Sequence, residues 1–169
     1  EMMEGGIQVE STPDAGSSFT LRAWFQLPEQ QMPKRDLRPA RLRGLHALVV
    51  DDTATARDVF QGMLHGFGFT VDLAEHGFEA LQLVEKRLAA ENACFYDFAL
   101  IDYKMPHMNG IETAQRLYAL GGAAARLPVI LVTAYGREEV IRAAEEAGLT
   151  NVLLKPIGAS VVIDGIACA

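Results

Sequence analysis

Residues 45–54 read "LHALVVDDTA", an apolar run that stops at two adjacent acids, Asp51 and Asp52. A run this short, rich in branched apolar residues and free of interruption, is the signature of a strand buried on both faces. The same texture recurs at 69–73, 97–101, 127–132 and 150–154. Between these runs the apolar period changes to three or four. Val59, Phe60, Met63, Leu64 and Phe67 line one helical side; so do Phe78, Leu81, Val84 and Leu88; Ile111, Ala114, Leu117 and Tyr118; and Val140, Ala143, Ala144 and Ala147. Regular alternation of strand and helix predicts an α/β fold: a five-stranded parallel sheet with right-handed crossovers and helices on both faces. The last helix is predicted to be weak, because "GASVVIDGIACA" contains β-branched residues and an internal glycine.

Residues 1–27 have another texture. "GGIQVES" and "SSFTLRAWFQL" alternate Ile7 and Val9 with polar residues, and likewise Phe19, Leu21, Ala23 and Phe25, around the turn-forming "TPDAG". This predicts a β-hairpin, with Trp24 as a packing residue. Two strands are marginal alone, so the hairpin is expected to belong to a larger sheet or to pack on the second domain. "PEQQMPKRDLRPARLRG" at 28–44, with its three prolines and five basic residues, is expected to be a solvated spacer.

The chain has 169 residues and a net charge of -7, which disfavours a nucleic-acid surface spread over the molecule. It has no membrane-length apolar stretch and no secretory signal. Cys94 and Cys168 have no metal-type spacing and are expected to be reduced, packed thiols in a cytoplasmic setting. The chain starts at Glu1 and is expected to be a segment of a longer protein whose membrane anchor, if any, lies outside it. His46, His65, His76 and His107 are scattered without ligand spacing.

In open parallel sheets, ligands bind beyond the carboxyl ends of the strands. Reading those ends brings Asp51, Asp52, Asp102, Thr133 and Lys155 to one edge. Two like charges about 4 Å apart repel by roughly 4 kcal/mol at an effective dielectric near 20, so clustered carboxylates take up protons or a cation. Mg²⁺ suits such a site, since it binds through one or two carboxylates, waters and a phosphate oxygen. Asp51 and Asp52 are then the metal-holding pair and Asp102 is free to react. A carboxylate can attack phosphorus to form an aspartyl phosphate. In that transfer Thr133 can donate to one phosphoryl oxygen and Lys155 can pair with another.

"VVDD", "LIDYKMPHMNG", "VILVTA" and "LLKPI", in this order, resemble the receiver domain of two-component signalling, over residues 44–169. The resemblance implies a flavodoxin-like sheet, phosphorylation of Asp102, and Mg²⁺ held by Asp51, Asp52, Asp102 and the backbone carbonyl of Lys104. It gives Thr133 and Lys155 to the phosphoryl group, a cis peptide before Pro156, and a tight turn at Gly110. Val152 departs from the family pattern, which has an aromatic switch residue there. "MMEGGIQVESTPDAGSSFTL" is similar to the last strands of the ATP-binding domain of a sensor histidine kinase, without the upstream boxes that hold Mg-ATP. Together the pieces resemble a hybrid sensor histidine kinase: kinase end at 1–27, linker at 28–43, receiver at 44–169. The implied partners are a phosphohistidine donor domain, in cis or in trans, and a downstream histidine-transfer domain.

Two other readings use the same residues. Phosphatases of the haloacid-dehalogenase type also use an Asp nucleophile with Mg²⁺, but need a second acid two residues on, where this chain has Lys104. A receiver-like module that binds partners without being phosphorylated would keep the fold and dispense with the site.

Overall fold

A computed structural model describes residues 5–13, 16–24, 44–90, 95–134 and 138–168. The linker at 28–43, Phe25, Cys94, Tyr135, Gly136 and the side chain of Cys168 lie outside this description. The chain divides into two units, Glu1–Leu37 and Arg38–Ala169.

In the first unit β1 (Gly6–Thr12) pairs antiparallel with β2 (Gly16–Arg22), placing Ile7 opposite Leu21 and Val9 opposite Phe19. Gly16, at φ +101, turns the chain into β2 where a side chain would be strained. The apolar residues Ile7, Val9, Phe19 and Leu21 are all exposed, as is Trp24.

The second unit alternates β3 (His46–Val50), α1 (Ala54–Gly66), β4 (Thr70–Ala74), α2 (Gly77–Ala89), β5 (Phe98–Asp102), α3 (Gly110–Ala119), β6 (Val129–Thr133), α4 (Glu138–Glu146), β7 (Asn151–Leu154) and α5 (Ala159–Cys168). The strands form one five-stranded sheet, ordered β4-β3-β5-β6-β7 and parallel at every pairing. This is the expected architecture, with one difference in burial. The three central strands are wholly buried, whereas the edge strands β4 and β7 are partly exposed, because an edge strand has a neighbour on one side only.

Each face of the sheet carries its own core. Leu48, Val50, Ile101 and Leu131 meet Val84 of α2, Leu117 of α3 and Val140 of α4. Val49, Leu100, Ile130 and Val132 meet Phe60 and Leu64 of α1, and Val162 and Ile166 of α5. Each fully buried aliphatic side chain contributes about 1.5–3 kcal/mol, enough to outweigh a poor local propensity of a few tenths. That is why α5 forms despite its composition: Val162 and Ile166 bury one side of it, and Gly165 lies against Leu153. No helix among the described residues is long and apolar enough to cross a membrane.

Partial exposure of β4 admits a carboxylate in mid-strand. Asp72 accepts hydrogen bonds from Tyr96 Oη (2.6 Å) and Arg87 Nη2 (2.9 Å), and His46 Nε2 lies 3.5 Å away. The Arg87 guanidinium also covers the Tyr96 ring, 4.6 Å from its centroid, so this network ties the end of α2 to the sheet. Burial alone would raise the Asp72 pKa, but the bonds from Tyr96 and Arg87 outweigh it and hold the carboxyl below its ordinary value. A carboxyl depressed on folding adds stability that is present above its unfolded pKa of about 4 and lost as pH falls through the lower folded value. Asp72→Asn is therefore expected to cost about 1–3 kcal/mol near neutral pH. Urea unfolding across an acid pH series checks this: the gap to wild type should narrow as Asp72 protonates, and a gap independent of pH would refute the charged role.

Candidate functional site

β3 and β5 are neighbours at the point where the strand order reverses, and there α/β sheets open a crevice beyond their carboxyl ends. Asp51 follows β3 directly and Asp102 ends β5. Both are buried, at 2% and 7% exposure. Lys155, after β7, reaches between them: Nζ is 3.0 Å from Asp51 Oδ2 and 2.7 Å from Asp102 Oδ1. The Lys155–Pro156 peptide is cis, and Lys155 N donates to the Thr133 carbonyl at 2.8 Å. Thr133 itself is buried at the tip of β6.

The remaining carboxylate oxygens are held by backbone. Thr53 N donates to Asp51 Oδ1 at 2.9 Å, and Lys104 N donates to Asp102 Oδ2 at 2.8 Å. The loop after Asp102 is anchored by the buried Met105 and Met108, and Met108 N donates to Pro106 O at 2.7 Å across His107. His107 is exposed and has φ 66, a left-handed conformation uncommon outside glycine. At the end of this loop the glycine works differently from the expectation of a tight turn. Gly110 has no positive φ; instead a Cβ there would collide with the Asp102 carbonyl oxygen and lie 2.7 Å from Leu131 Cδ1. Its value is space, not backbone freedom.

One ammonium shared by two carboxylates leaves the trio negative, and both Asp102 and Lys155 are shifted from their ordinary values. Burial pushes the Asp102 carboxyl above its ordinary value, and the neighbouring Asp51 charge adds to this, against the pull of Lys155. Burial works against the Lys155 ammonium too, but its bonds to Asp102 and Asp51 prevail and hold it above its ordinary value. Burial acts on both groups, but Lys155 has two partners of opposite charge, while Asp102 shares the Lys155 ammonium with another acid.

Asp52 is exposed, and its Oδ1 lies 3.5 Å from Thr53 Oγ1. Among the described residues, the acidic or imidazole side chains whose ligand-type atoms gather in threes within 4.8 Å are Glu75, His76 and Glu79. Those three cap α2, with Glu79 N donating to His76 Nδ1 and Glu75 N to Glu79 Oε2. Asp51, Asp52 and Asp102 do not close to that spacing. Their donor set nevertheless fits Mg²⁺: all ligand atoms are oxygen, charge is in excess, and one acid is exposed and able to turn. The sequence reading missed Arg57, whose Nη1 donates to the Asp51 carbonyl at 2.7 Å. A basic residue in the first turn of a helix opposes the macrodipole, and that was the signal available.

A parallel sheet with two buried acids and a shared lysine at its switch point is the architecture of a receiver domain. The response regulator receiver domain family matches residues 47–167, and the chain belongs to that family, whose members act in two-component signalling through aspartate phosphorylation. The chain is 36% identical over 110 residues to the transcriptional regulatory protein ZraR of Escherichia coli O157:H7, covering 65% of this chain and 23% of ZraR. It is 30% identical over 166 residues to the autoinducer 2 sensor kinase/phosphatase LuxQ of Vibrio parahaemolyticus, covering 93% of this chain and 18% of LuxQ. It thus spans about a fifth of the length of these relatives. Its fold is similar to that of CheY in the CheX-CheY-BeF3-Mg+2 complex from Borrelia burgdorferi, with a TM-score of 0.65 and 21% identity over 75% of this chain and 89% of that one.

Proposed function

We propose that this chain accepts a phosphoryl group from a phosphohistidine onto Asp102 in a Mg²⁺-dependent reaction. The observation that carries the reading is the shared Lys155, which holds the buried Asp102 and Asp51 carboxylates together at the switch point. An Asp102 carboxylate oxygen attacks phosphorus, the P–N bond to the donor imidazole breaks, and an acyl phosphate forms. Such transfer is mostly positioning and neutralisation of the oxygens of the moving group. Lys104 N and Lys155 Nζ fix the Asp102 carboxylate before reaction. Thr133 and Lys155 meet phosphoryl oxygens as they arrive, and Lys155 can leave Asp102 for the new anion without losing Asp51. Asp51, Asp52, Asp102 and the Lys104 carbonyl would hold Mg²⁺, which supplies further positive charge to the transferring group.

The match to LuxQ covers 93% of this chain, more than the receiver unit alone, which supports reading 1–27 as the end of a histidine-kinase ATP-binding domain, 28–43 as a linker and 44–169 as the receiver of a hybrid kinase. The exposed apolar residues of the hairpin agree with strands taken from a larger sheet. The partners on this reading are a phosphohistidine donor domain and a downstream histidine-transfer domain. Val152 packs half-buried against one core and is stiff about χ1, so the signal leaves instead through the loop after Thr133.

Intact-mass measurement with acetyl phosphate, with and without Mg²⁺, tests the reading through Lys155→Ala. Wild type should gain a phosphoryl group only with Mg²⁺. In thermal unfolding Lys155→Ala should still be stabilised by Mg²⁺, while labelling more slowly, because losing the ammonium leaves more negative charge for the metal and removes one of the positive groups that meet the phosphoryl oxygens. Loss of the Mg²⁺ response in Lys155→Ala would show that the division of roles is wrong; a wild type that takes up no phosphoryl group would end the reading.

A further inference from the structure

We propose that Arg57 is a positioning residue of the cation site, an inference that rests on the Mg²⁺-dependent reading above. α1 starts without favourable local signals: its first turn has no acid, and the Thr53 side chain makes no capping bond. Arg57 stands in that turn with its charge against the helix macrodipole. It folds back instead, and Nη1 donates to the Asp51 carbonyl at 2.7 Å.

That bond completes the grip on Asp51. Its N donates to Ala74 O at 3.2 Å, Oδ1 accepts from Thr53 N, Oδ2 accepts from Lys155, and the carbonyl accepts from Arg57. The first three bonds fix the residue and its carboxylate. Only the fourth acts on the peptide that joins Asp51 to Asp52, whose atoms are coplanar. Tilting that plane moves the Asp52 Cα and with it the carboxylate. Asp52 is exposed and, among the described residues, its side chain has only the long contact with Thr53, so the backbone decides where its carboxylate can go. Arg57 therefore sets the separation of Asp52 from the buried acids, although it bonds no carboxylate among the described residues.

The sign of the effect separates this role from a field effect. A guanidinium close to a cation site repels the cation, so removing its charge would tighten Mg²⁺ binding if Coulomb forces alone acted. Removing a positioning bond weakens it. Outer groups that orient metal ligands are typically worth about 10–100-fold in affinity.

Arg57→Gln and Arg57→Lys, compared with wild type, decide between them. Half-saturating Mg²⁺ is read twice: from the rise in thermal unfolding temperature without any phosphodonor, and from labelling by acetyl phosphate. Arg57→Gln should raise half-saturating Mg²⁺ about tenfold in both readouts, with the labelling rate recovering at saturating Mg²⁺. Arg57→Lys, which keeps the charge and an N–H donor but loses the planar guanidinium, should fall between. An unchanged or lower half-saturation in Arg57→Gln, with only a lower unfolding temperature, would overturn the assignment and leave Arg57 a structural clamp. A wild type without any Mg²⁺ response would overturn this assignment together with the reading beneath it; a responsive wild type matched by Arg57→Gln overturns this assignment alone.

Discussion

Asp102→Asn is expected to take up no phosphoryl group from acetyl phosphate at any Mg²⁺ concentration, and to be no less stable than wild type at neutral pH. The first half follows from the site. An amide keeps the shape of the side chain and its bond from Lys104 N, but its carbonyl oxygen is a far weaker nucleophile than a carboxylate. Asp51 is held by Thr53 N and Lys155 and is as buried as Asp102, yet on the proposed reading it faces the metal rather than the donor. The second half follows from the raised pKa of Asp102. A carboxyl whose folded pKa lies above its unfolded value lowers stability as pH rises through the two, so at neutral pH the full cost of holding the charge is present. Asparagine removes that cost and leaves Lys155 with one partner. Intact mass and urea unfolding read the two halves separately. Equal labelling of variant and wild type would show that the phosphoacceptor lies elsewhere.

Gly110→Ala is expected to be the most damaging single methyl in the receiver unit. Gly110 begins α3, where alanine is favoured over glycine by up to about 1 kcal/mol on propensity alone. The contacts reverse that preference. The new Cβ would collide with the Asp102 carbonyl oxygen and lie 2.7 Å from Leu131 Cδ1, and the first of these is backbone of a central strand. Overpacking of this kind costs about 1–3 kcal/mol, at the upper end where the obstacle is backbone. The strain falls on Asp102, the proposed phosphoacceptor, so labelling should slow along with the loss of stability. Gly62→Ala is the contrasting case: Gly62 is exposed in mid-α1 with nothing within 4 Å of its Cβ, and alanine there should stabilise by about 0.5–1 kcal/mol. Urea unfolding midpoints that moved in the same direction in both variants would refute the steric argument.

Much of this was legible beforehand, for reasons that differ by residue. The three central strands were read almost to the residue, because a strand buried on both faces leaves an unbroken apolar run. The run at 69–73 sets β4 one residue early, as the run at 97–101 does β5; what differs at β4 is burial, since an edge strand with an acid in it has a neighbour on one side only. α5 looked poor by propensity and is held by Val162 and Ile166, contacts that no local window contains. At Gly110 the need is for space and not for a turn dihedral; sequence marks a glycine but does not say whether the chain needs a dihedral angle or a gap. For Arg57 the residue types show a charge placed against the helix macrodipole but not its partner, because the bond runs to a main-chain oxygen.

What the sequence determined by itself is local: the alternation of strand and helix, and the chemistry of the residue at each strand tip. Those depend on periodicity and side-chain type within a few residues, and they carried the reading of Asp51, Asp52, Asp102, Thr133 and Lys155 as one edge. The order of the strands was decided only in the tertiary structure. It places β3 beside β5 and lets Lys155 bond carboxylates 104 and 53 residues away. Such neighbours follow from which faces bury together once the chain closes on itself, a balance of burial against loop closure summed over the whole domain. The tertiary structure likewise decided that Asp102 is buried and that Lys155 sits between two acids rather than beside one; burial above all, with the Asp51 charge adding to it, makes Asp102 reluctant to ionise.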